Sequence, residues 1–358
     1  MSETLETELK ERLRALIDPH TEQALADGVQ VSVRKGRAAV RVVLSYPAAG
    51  WHDRLRRLIE QTLMHDQSVE AVTVEIETER LSHAVQGGLT PLDGVSNVIA
   101  VASGKGGVGK STVAVNLALA LQAEGARVGV LDADIYGPSI PRMLGLTGQP
   151  ETADRRIVPM RAHGLQAISI GVLVKTDQAM IWRGPMATQA LQQMVTEVAW
   201  DQLDYLVVDL PPGTGDIQLT LAQRIPVAGA VTVTTPQDVA VDDVRRAVAM
   251  FAKVRVPVLG VVENMSTHVC SSCGHEEAIF GQGGGQRIAE EAGLTLLGDL
   301  PLSAGLGRAT DRGTPIVASE PEASASLRFR EIARRVAGRL SLQSRNQAIR
   351  MPKIKIVE

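Results

Sequence analysis

One glycine-rich segment limits the possible folds of this chain more than any other feature. SGKGGVGKST (103–112) follows the apolar run VIAVA (98–102) and precedes the apolar-periodic run VAVNLALALQAEG (113–125). From Gly104 to Ser111 it matches the P-loop pattern, in which consecutive backbone N–H groups turn onto phosphate oxygens at the start of a helix. A strand, this loop and a helix in succession predict a nucleotide-binding α/β sheet.

Further apolar runs extend the predicted sheet. They do not alternate with polar residues, which is typical of strands buried on both faces, and helical stretches separate them. We therefore predict an α/β fold, a mostly parallel P-loop NTPase sheet with helices on both faces, over residues 98–341. The runs are ARVGVLD (126–132), YLVVDL (205–210), AVTVTT (230–235) and VPVLGVVE (256–263).

The remainder of the chain divides into three predicted parts. Residues 1–81 have the pattern helix, two strands, helix, strand, which indicates a small α+β domain. Residues 82–97 lack periodicity and contain Gly-Gly, Pro and Asp-Gly, as a linker would. Residues 342–358 form a predicted loose C-terminal tail.

Composition narrows the class of protein. The formal net charge is −3, so overall electrostatics favour no nucleic-acid partner. No apolar run reaches membrane-spanning length and the acidic first residues do not resemble a signal peptide, so we expect no membrane partner. Two cysteines in 358 residues do not suggest a disulfide-stapled secreted protein. We expect a cytoplasmic protein.

The P-loop residues have distinct expected roles. Lys110 is expected to reach the β- and γ-phosphates, Ser111 to ligate Mg²⁺ and Thr112 to contact the α-phosphate. The backbone that surrounds the phosphates comes from the rest of the loop: Gly104, Lys105, Gly106, Gly107, Val108 and Gly109.

An ordinary P-loop does not require a lysine directly after its first glycine. With Lys105 in that position, the loop resembles the deviant P-loop of the ParA, MinD and nitrogenase iron-protein group. The resemblance implies that Lys105 reaches across a dimer interface to the partner's nucleotide and makes hydrolysis depend on dimerisation. The alternative is a solvated surface lysine.

Carboxylates at strand ends complete the predicted nucleotide site, because parallel strands deliver their carboxyl ends to one edge of a sheet. Asp209 in VVDLPPGTGD is the expected Walker-B carboxylate, which holds Mg²⁺ through water. Asp134 in DADIYGPS resembles the switch-I aspartate that positions or activates the attacking water, and Asp132 is expected to support the loop. Gly213 is a candidate N–H donor to the γ-phosphate.

The sequence gives a weaker indication of base recognition. Asn264 ends the run VPVLGVVEN, and related ATPases use an asparagine there to read adenine, although asparagine is also an ordinary turn residue. No guanine-reading NKxD motif occurs, and ATP is the nucleotide that the resemblance implies.

The only two cysteines, Cys270 and Cys273, lie in THVCSSCGHEE, shortly after Asn264. Two sulfurs on one tight turn suit a soft metal or an iron–sulfur cluster. A zinc site completed by His268 and His275 is an alternative, but its four ligands would crowd into eight residues. Buried free thiols, a local disulfide and a thioredoxin-like redox pair are less favoured.

Several motifs together resemble the Mrp/ApbC family of iron–sulfur cluster carrier ATPases. They are the deviant P-loop, DADIYGPSIPRMLG, WRGPMATQAL, VVDLPPGTGD and C-x-x-C-G-H followed by IFGQGGG, in this order between about residues 96 and 318. LIDPHTEQALADGVQVSV resembles the opening of the small domain of iron–sulfur maturation factors. That domain has no cysteine here, so we assign it no cluster ligand.

The family resemblance implies a homodimer that carries one [4Fe-4S] cluster on Cys270 and Cys273 of both subunits. It implies cofactors ATP and Mg²⁺, and transfer to apo iron–sulfur proteins, with cluster assembly scaffolds as further partners. Alternatives are a ParA/MinD-like positioning ATPase, whose membrane contact would be the basic helix ASLRFREIARRVAGRLSL, a zinc-bridged dimeric ATPase, a nitrogenase-like reductase, or an assembly scaffold.

Overall fold

The computed structural model describes residues 2–25, 28–173, 184–270 and 272–346. The helices are α1 (Ser2–Arg14), α2 (His52–Met64), α3 (Lys110–Ala123), α4 (Ile140–Met143), α5 (Ile170–Leu173), α6 (Gly184–Glu197), α7 (Asp216–Arg224), α8 (Asp238–Lys253), α9 (Gly284–Ala292), α10 (Ala304–Asp311), α11 (Ile316–Ser319) and α12 (Ser324–Ser341). The strands are β1 (Val29–Arg34), β2 (Arg37–Leu44), β3 (Ala71–Thr78), β4 (Val95–Ser103), β5 (Val128–Asp132), β6 (Thr152–Ala153), β7 (Arg156–Ile157), β8 (Met160–Ala162), β9 (Leu165–Ser169), β10 (Leu203–Asp209), β11 (Gly229–Thr234), β12 (Val258–Val269), β13 (Glu276–Glu277) and β14 (Leu296–Leu302).

The first eighty residues form a small α+β unit with the predicted order of elements. Its sheet has the strand order β1-β2-β3, with β1 antiparallel and β3 parallel to β2. Helices α1 and α2 cover one face, because their leucines and isoleucines recur at helical spacing and are fully buried. The buried set is Leu9, Leu13, Leu55, Ile59 and Leu63.

The main sheet has nine strands in the order β13-β12-β11-β4-β10-β5-β9-β8, with β14 also paired to β12. All pairs are parallel except β8 with β9 and β13 with β12. Helices α3 and α12 pack on one face, and α6, α7 and α8 on the other. The fold is therefore the predicted α/β arrangement, and the P-loop follows the central strand β4.

Several strands differ from the sequence-based expectations. Strand β4 begins at Val95, inside the predicted linker, because Val95 pairs with Leu203 and is buried in the core. Strand β9 was not predicted because the polar Gln166 interrupts its short apolar run, although Gln166 is buried. Strand β14 was missed because glycine, aspartate and proline interrupt LLGDLPL.

The small unit packs against α3 and α12 through buried charges. The fully buried Glu124, directly after α3, accepts hydrogen bonds from Arg330 (2.8 Å) and Arg334 (2.7 Å) of α12 and from the Gly50 backbone N–H (2.7 Å). His20 lies 3.3 Å from Glu331 on the same helix. These contacts connect the small unit to the far end of the P-loop helix.

The first residues of the predicted tail pair with the first residues of the predicted linker. Arg345 forms an antiparallel bridge with His83. The rest of that tail, residues 347–358, lies outside the described residues, as do Ser271 and the part of WRGPMATQAL before Gly184.

Candidate functional site

The P-loop connects β4 to α3 through glycines that other residues replace poorly. Gly107 and Gly109 have φ values of +84° and +81°, a region that favours glycine. Gly109 is also the N-cap of α3, and a side chain there would collide with the Asn264 amide. Lys110, Ser111 and Thr112 therefore begin the helix at its positive end, where phosphate binds.

Lys110 joins the two carboxylates that the sequence placed at strand ends. Its Nζ lies 2.5 Å from Asp209 Oδ1 and 3.8 Å from Asp134 Oδ2. Its Nζ also lies 3.3 Å from the Ser111 hydroxyl. The structure thus brings together four of the residues predicted to handle phosphate and Mg²⁺.

Asp209 is fully buried, and its Oδ2 has no hydrogen-bond partner within the described part of the chain. Burial raises the pKa of Asp209, while the Lys110 ammonium opposes that shift. A buried carboxylate oxygen without a donor, beside a serine hydroxyl, is the donor set that Mg²⁺ prefers, directly or through water. These residues fit the predicted metal role.

Asp132 anchors the loop that carries Asp134. Its carboxylate accepts backbone N–H groups from Asp134 (3.2 Å), Ser139 (3.1 Å) and Ile140 (3.2 Å), and the Ser169 hydroxyl (2.9 Å). Burial, with the neighbouring Asp209 charge, raises the pKa of Asp132 to about 7. Ser169 belongs to the unpredicted β9, so the sequence did not reveal its contribution.

Two residues predicted to contact nucleotide instead contact the P-loop region in this structure. The Gly213 N–H donates to the Ser103 carbonyl at 3.0 Å. The buried Asn264 amide donates to the Val108 carbonyl at 2.8 Å. Their predicted contacts with γ-phosphate and adenine stay predictions. In this structure the two residues hold the P-loop region from two sides, Gly213 at Ser103 and Asn264 at Val108.

A cleft of about 730 Å³ lies in front of Asp134. One wall is Asp134, Tyr136 and Gly137, and the other is the segment from Pro211 to Gln218. Tyr136 is exposed at its rim. The cleft gives the predicted water-activating carboxylate access from solvent.

Lys105 is half-buried at the loop apex, where Ser103 Oγ fixes its backbone by donating to its carbonyl at 2.9 Å. Among the residues that the structure describes, no carboxylate pairs with the Lys105 ammonium. Next to it, Gly106 is exposed. This side of the P-loop is therefore accessible from outside the subunit.

The cysteines occupy the tip of a hairpin. Strand β12 continues past Asn264 to Val269, and β13 pairs back with it antiparallel. The Cys270 N–H donates to the His275 carbonyl and the Gly274 N–H donates to the Cys270 carbonyl, both at 2.9 Å. Cys270 is half-buried and Cys273 exposed, and both are free thiols.

The turn favours the thiolate form of Cys270. Backbone N–H groups of Cys273 and Ser272, together with the Cys273 thiol, lower the pKa of Cys270. Thiolates are the metal-ligating form of cysteine. His268 is turned to the sheet, where its Nδ1 lies 3.2 Å from the Leu302 carbonyl. Within the described ranges, no group of three or more His, Cys, Asp or Glu side chains is placed to hold a metal.

Comparison with known proteins finds a matching family model. Residues 94–337 match the model of the ParA family described as NUBPL iron-transfer P-loop NTPase. The "Iron-sulfur cluster carrier protein" of Salmonella typhimurium is 61% identical over 254 residues, which cover 70% of this chain and 69% of that protein.

Solved structures agree with the fold. A nucleotide-binding protein from Archaeoglobus fulgidus in complex with ADP is 36% identical, with a TM-score of 0.56, covering 64% of this chain and 90% of that one. The cell division ATPase MinD of Pyrococcus furiosus has a TM-score of 0.53 at 20% identity, covering 67% of this chain and 98% of that one, and supports the fold alone. None of the helices described here is both long and apolar enough to cross a membrane.

Proposed function

Because this chain belongs to the ParA family of iron-transfer P-loop NTPases, we propose that it is an ATP-hydrolysing iron–sulfur cluster carrier. The observation that carries the proposal is the course of β12. Asn264 in this strand contacts the P-loop at Val108, and Cys270 follows directly after its last residue, Val269. One strand therefore connects the nucleotide loop with the two thiols.

The cysteine turn is half of a cluster site. Each chain supplies the thiolates of Cys270 and Cys273, while iron–sulfur clusters take four protein thiolates. A homodimer about a two-fold axis brings together two identical turns and provides all four. The cargo in this proposal is one [4Fe-4S] cluster per dimer, bound where the hairpin tips meet.

The P-loop centre is the switch. Lys110 binds the β- and γ-phosphates of ATP and leaves Asp209. Asp209, through water, and the Ser111 hydroxyl would hold Mg²⁺, which would supply charge neutralisation for the phosphates. Asp134 orients the attacking water, Gly213 leaves the Ser103 carbonyl to contact the γ-phosphate, and the remaining P-loop N–H groups hold the phosphate chain.

Hydrolysis depends on the dimer. Lys105 of one subunit reaches the nucleotide of the other and stabilises charge on the transferring phosphoryl group. ATP binding thereby closes the two subunits, and β12 transmits this movement to the hairpin tips. The closed dimer holds the cluster, and hydrolysis releases it in the cytoplasm to apo iron–sulfur proteins or exchanges it with assembly scaffolds.

Anaerobic reconstitution with iron and sulfide tests the proposal. We expect about four iron atoms per dimer, a broad visible absorbance and transfer to an apo iron–sulfur protein. Cys270→Ser should lose iron, absorbance and transfer while it keeps ATP affinity, and Thr267→Ala on the same hairpin is the matched control. Stoichiometric tightly bound zinc without a cluster, or normal transfer by Cys270→Ser, would overturn the proposal.

A further inference from the structure

A cavity of about 230 Å³ lies between the small unit and the main sheet. The small unit contributes Ala49, His52 and residues 78–81, and the main sheet contributes Ser96 and Tyr205 near the starts of β4 and β10. The P-loop follows the opposite end of β4, so this cavity is separate from the nucleotide centre. It is smaller than the roughly 300–1,000 Å³ of drug-sized binding pockets, so it suits a fragment-sized molecule.

Tyr205 gives this cavity an unsatisfied polar group. It is only 6% exposed, and its hydroxyl has no hydrogen-bond partner among the residues that the structure describes. Burial and the nearby Asp204 charge raise the pKa of Tyr205, so the hydroxyl stays protonated and can donate. The Nε2 atom of His52 is likewise buried without a partner in the described chain. Because buried polar groups are normally hydrogen-bonded, an occupant with a polar end would supply what the Tyr205 hydroxyl lacks.

Two other polar side chains in the wall are already satisfied. The Asn97 amide donates to the Leu81 carbonyl (2.7 Å) and accepts the His83 N–H (3.0 Å). The Asp204 carboxylate accepts the Arg127 guanidinium (3.0 Å) and the Arg127 backbone N–H (2.8 Å). Apolar groups form another part of the wall, namely Pro47, Ala49, Leu81 and Ala126. The Tyr205 hydroxyl is therefore available to an occupant, whereas Asn97 and Asp204 are engaged.

The charged residues of the lining favour a cation over an anion. Three are acids and one is a base, namely Glu79, Glu124, Asp204 and Arg80. Burial lowers the pKa of His52, so its imidazole is neutral. Glu124 and Asp204 are both paired with arginines. Glu79 is exposed and has no ion-pair partner within the described ranges, so its carboxylate is free to pair with a bound cation.

We propose that this cavity binds a fragment-sized primary amine whose apolar body ends in a hydroxyl or another hydrogen-bond acceptor. The ammonium pairs with Glu79, the body lies against the apolar wall at Ala49 and Ala126, and the polar end accepts a hydrogen bond from Tyr205. Such a molecule contacts both the small unit and the main sheet, so its binding stabilises the folded chain. The site needs neither nucleotide nor cluster, and it is independent of the function proposed above.

Titration of the full chain with tyramine, without nucleotide, tests the site. Tyramine has an ammonium, an aromatic body and a hydroxyl. We expect saturable binding in ligand-detected NMR with a Kd of about 1 mM or tighter, as is usual for a ligand of this size. The melting temperature should rise with tyramine concentration. The matched anion 4-hydroxyphenylacetate should bind at least about tenfold more weakly. Absence of saturable tyramine binding, or equal affinity for the two probes, would contradict the proposal.

Two conservative variants locate the site. Tyr205→Phe removes the unpartnered hydroxyl and keeps the ring, and Glu79→Gln removes the exposed charge. Each should raise the Kd for tyramine at least about threefold, because each removes one contact with the probe. Glu75→Gln, at an exposed acid of β3 outside the cavity, is the control and should leave the Kd unchanged. If the melting temperatures without ligand stay normal and neither Tyr205→Phe nor Glu79→Gln changes the Kd, tyramine binds elsewhere and the proposal is wrong.

Discussion

The P-loop centre and the cysteine turn lie at the same end of the sheet but are built differently. Around the P-loop, Lys110, Asp209 and Asp134 are buried, and Lys110 Nζ lies 2.5 Å from Asp209 and 3.8 Å from Asp134 within one chain. At the hairpin tip, two backbone hydrogen bonds of Cys270, with His275 and Gly274, close the turn, and Cys273 is exposed. One chain thus contains most of the predicted nucleotide centre but only two of the four thiolates that the proposed cluster needs.

This difference teaches which functions need a second chain. An unpaired buried charge lowers the stability of the folded protein, and the buried P-loop charges are paired within one chain. Thiols on an exposed turn need no internal partner, and they remain available for ligands shared across an interface. Unlike Lys110, Lys105 has no carboxylate partner in the part of the chain that the structure describes, and it is the P-loop residue proposed to act on the partner subunit.

The largest expected effect comes from removing the outward lysine. Lys105→Ala should lower the ATP hydrolysis rate by at least about 100-fold while ATP affinity changes little, because the lost charge acts in the partner's transition state. Turnover measured against protein concentration, with Lys253→Ala as an exposed-lysine control, checks this. A variant that hydrolyses at the normal rate contradicts a role for Lys105 in trans.

The next effect concerns the buried ion pair. Lys110→Ala leaves Asp209 buried without its cation, so we expect the free energy of unfolding to fall by about 3 kcal/mol near pH 8. Burial then raises the pKa of Asp209, and a group with a raised folded pKa destabilises the protein as pH increases, so the loss should shrink near pH 5. Denaturant titration at both pH values measures it.

The double variant Lys110→Ala with Asp209→Asn is the matched control. It should recover most of the lost stability without recovering hydrolysis, because it removes the unpaired charge along with the catalytic groups. Equal instability of the single and double variants would show that lost packing, and not charge, causes the effect.

Asp132 should produce a smaller, pH-dependent effect. Its folded pKa of about 7 exceeds that of an unfolded aspartate, so its contribution to stability is present at low pH and is lost as pH rises toward and through 7. Asp132→Asn should therefore gain stability relative to the original chain between pH 5 and pH 8. Parallel titration curves for both proteins would contradict the raised pKa.

The smallest effect should separate the two roles of Asn264. Because its amide donates to Val108, Asn264→Ala should weaken ATP and GTP binding by similar factors of roughly three to ten, equivalent to about 1 kcal/mol. Calorimetry with both nucleotides measures this. A loss confined to ATP would assign the amide to the adenine contact that the sequence predicted.

Much of this molecule could be predicted from its sequence, because the strongest signals are local. The P-loop glycines need particular backbone conformations, and the apolar runs of β4, β5 and β10 are buried on both faces. Strands β9 and β14 gave no clear pattern, since Gln166 and the glycine, aspartate and proline of LLGDLPL interrupt their apolar character.

Long-range pairings were the part that local patterns could not give. Ser169 reaches Asp132, and Glu124 reaches Arg330 and Arg334 across more than 200 positions. Nothing near Glu124 in sequence marks it as buried, because glutamate at a helix end is usually solvated. Its burial follows from the small unit packing over it, which is a property of the tertiary fold.

Native mass spectrometry of mixed subunits tests the central difference most directly. Original chains are mixed with the Cys270→Ser, Cys273→Ser variant carrying a mass tag, reconstituted anaerobically and sprayed intact. We expect the mass of one [4Fe-4S] cluster on dimers of two original chains, with none on mixed dimers or monomers, and nucleotide bound to all species. A cluster on the monomer, or on the mixed dimer at full occupancy, would show that one chain suffices.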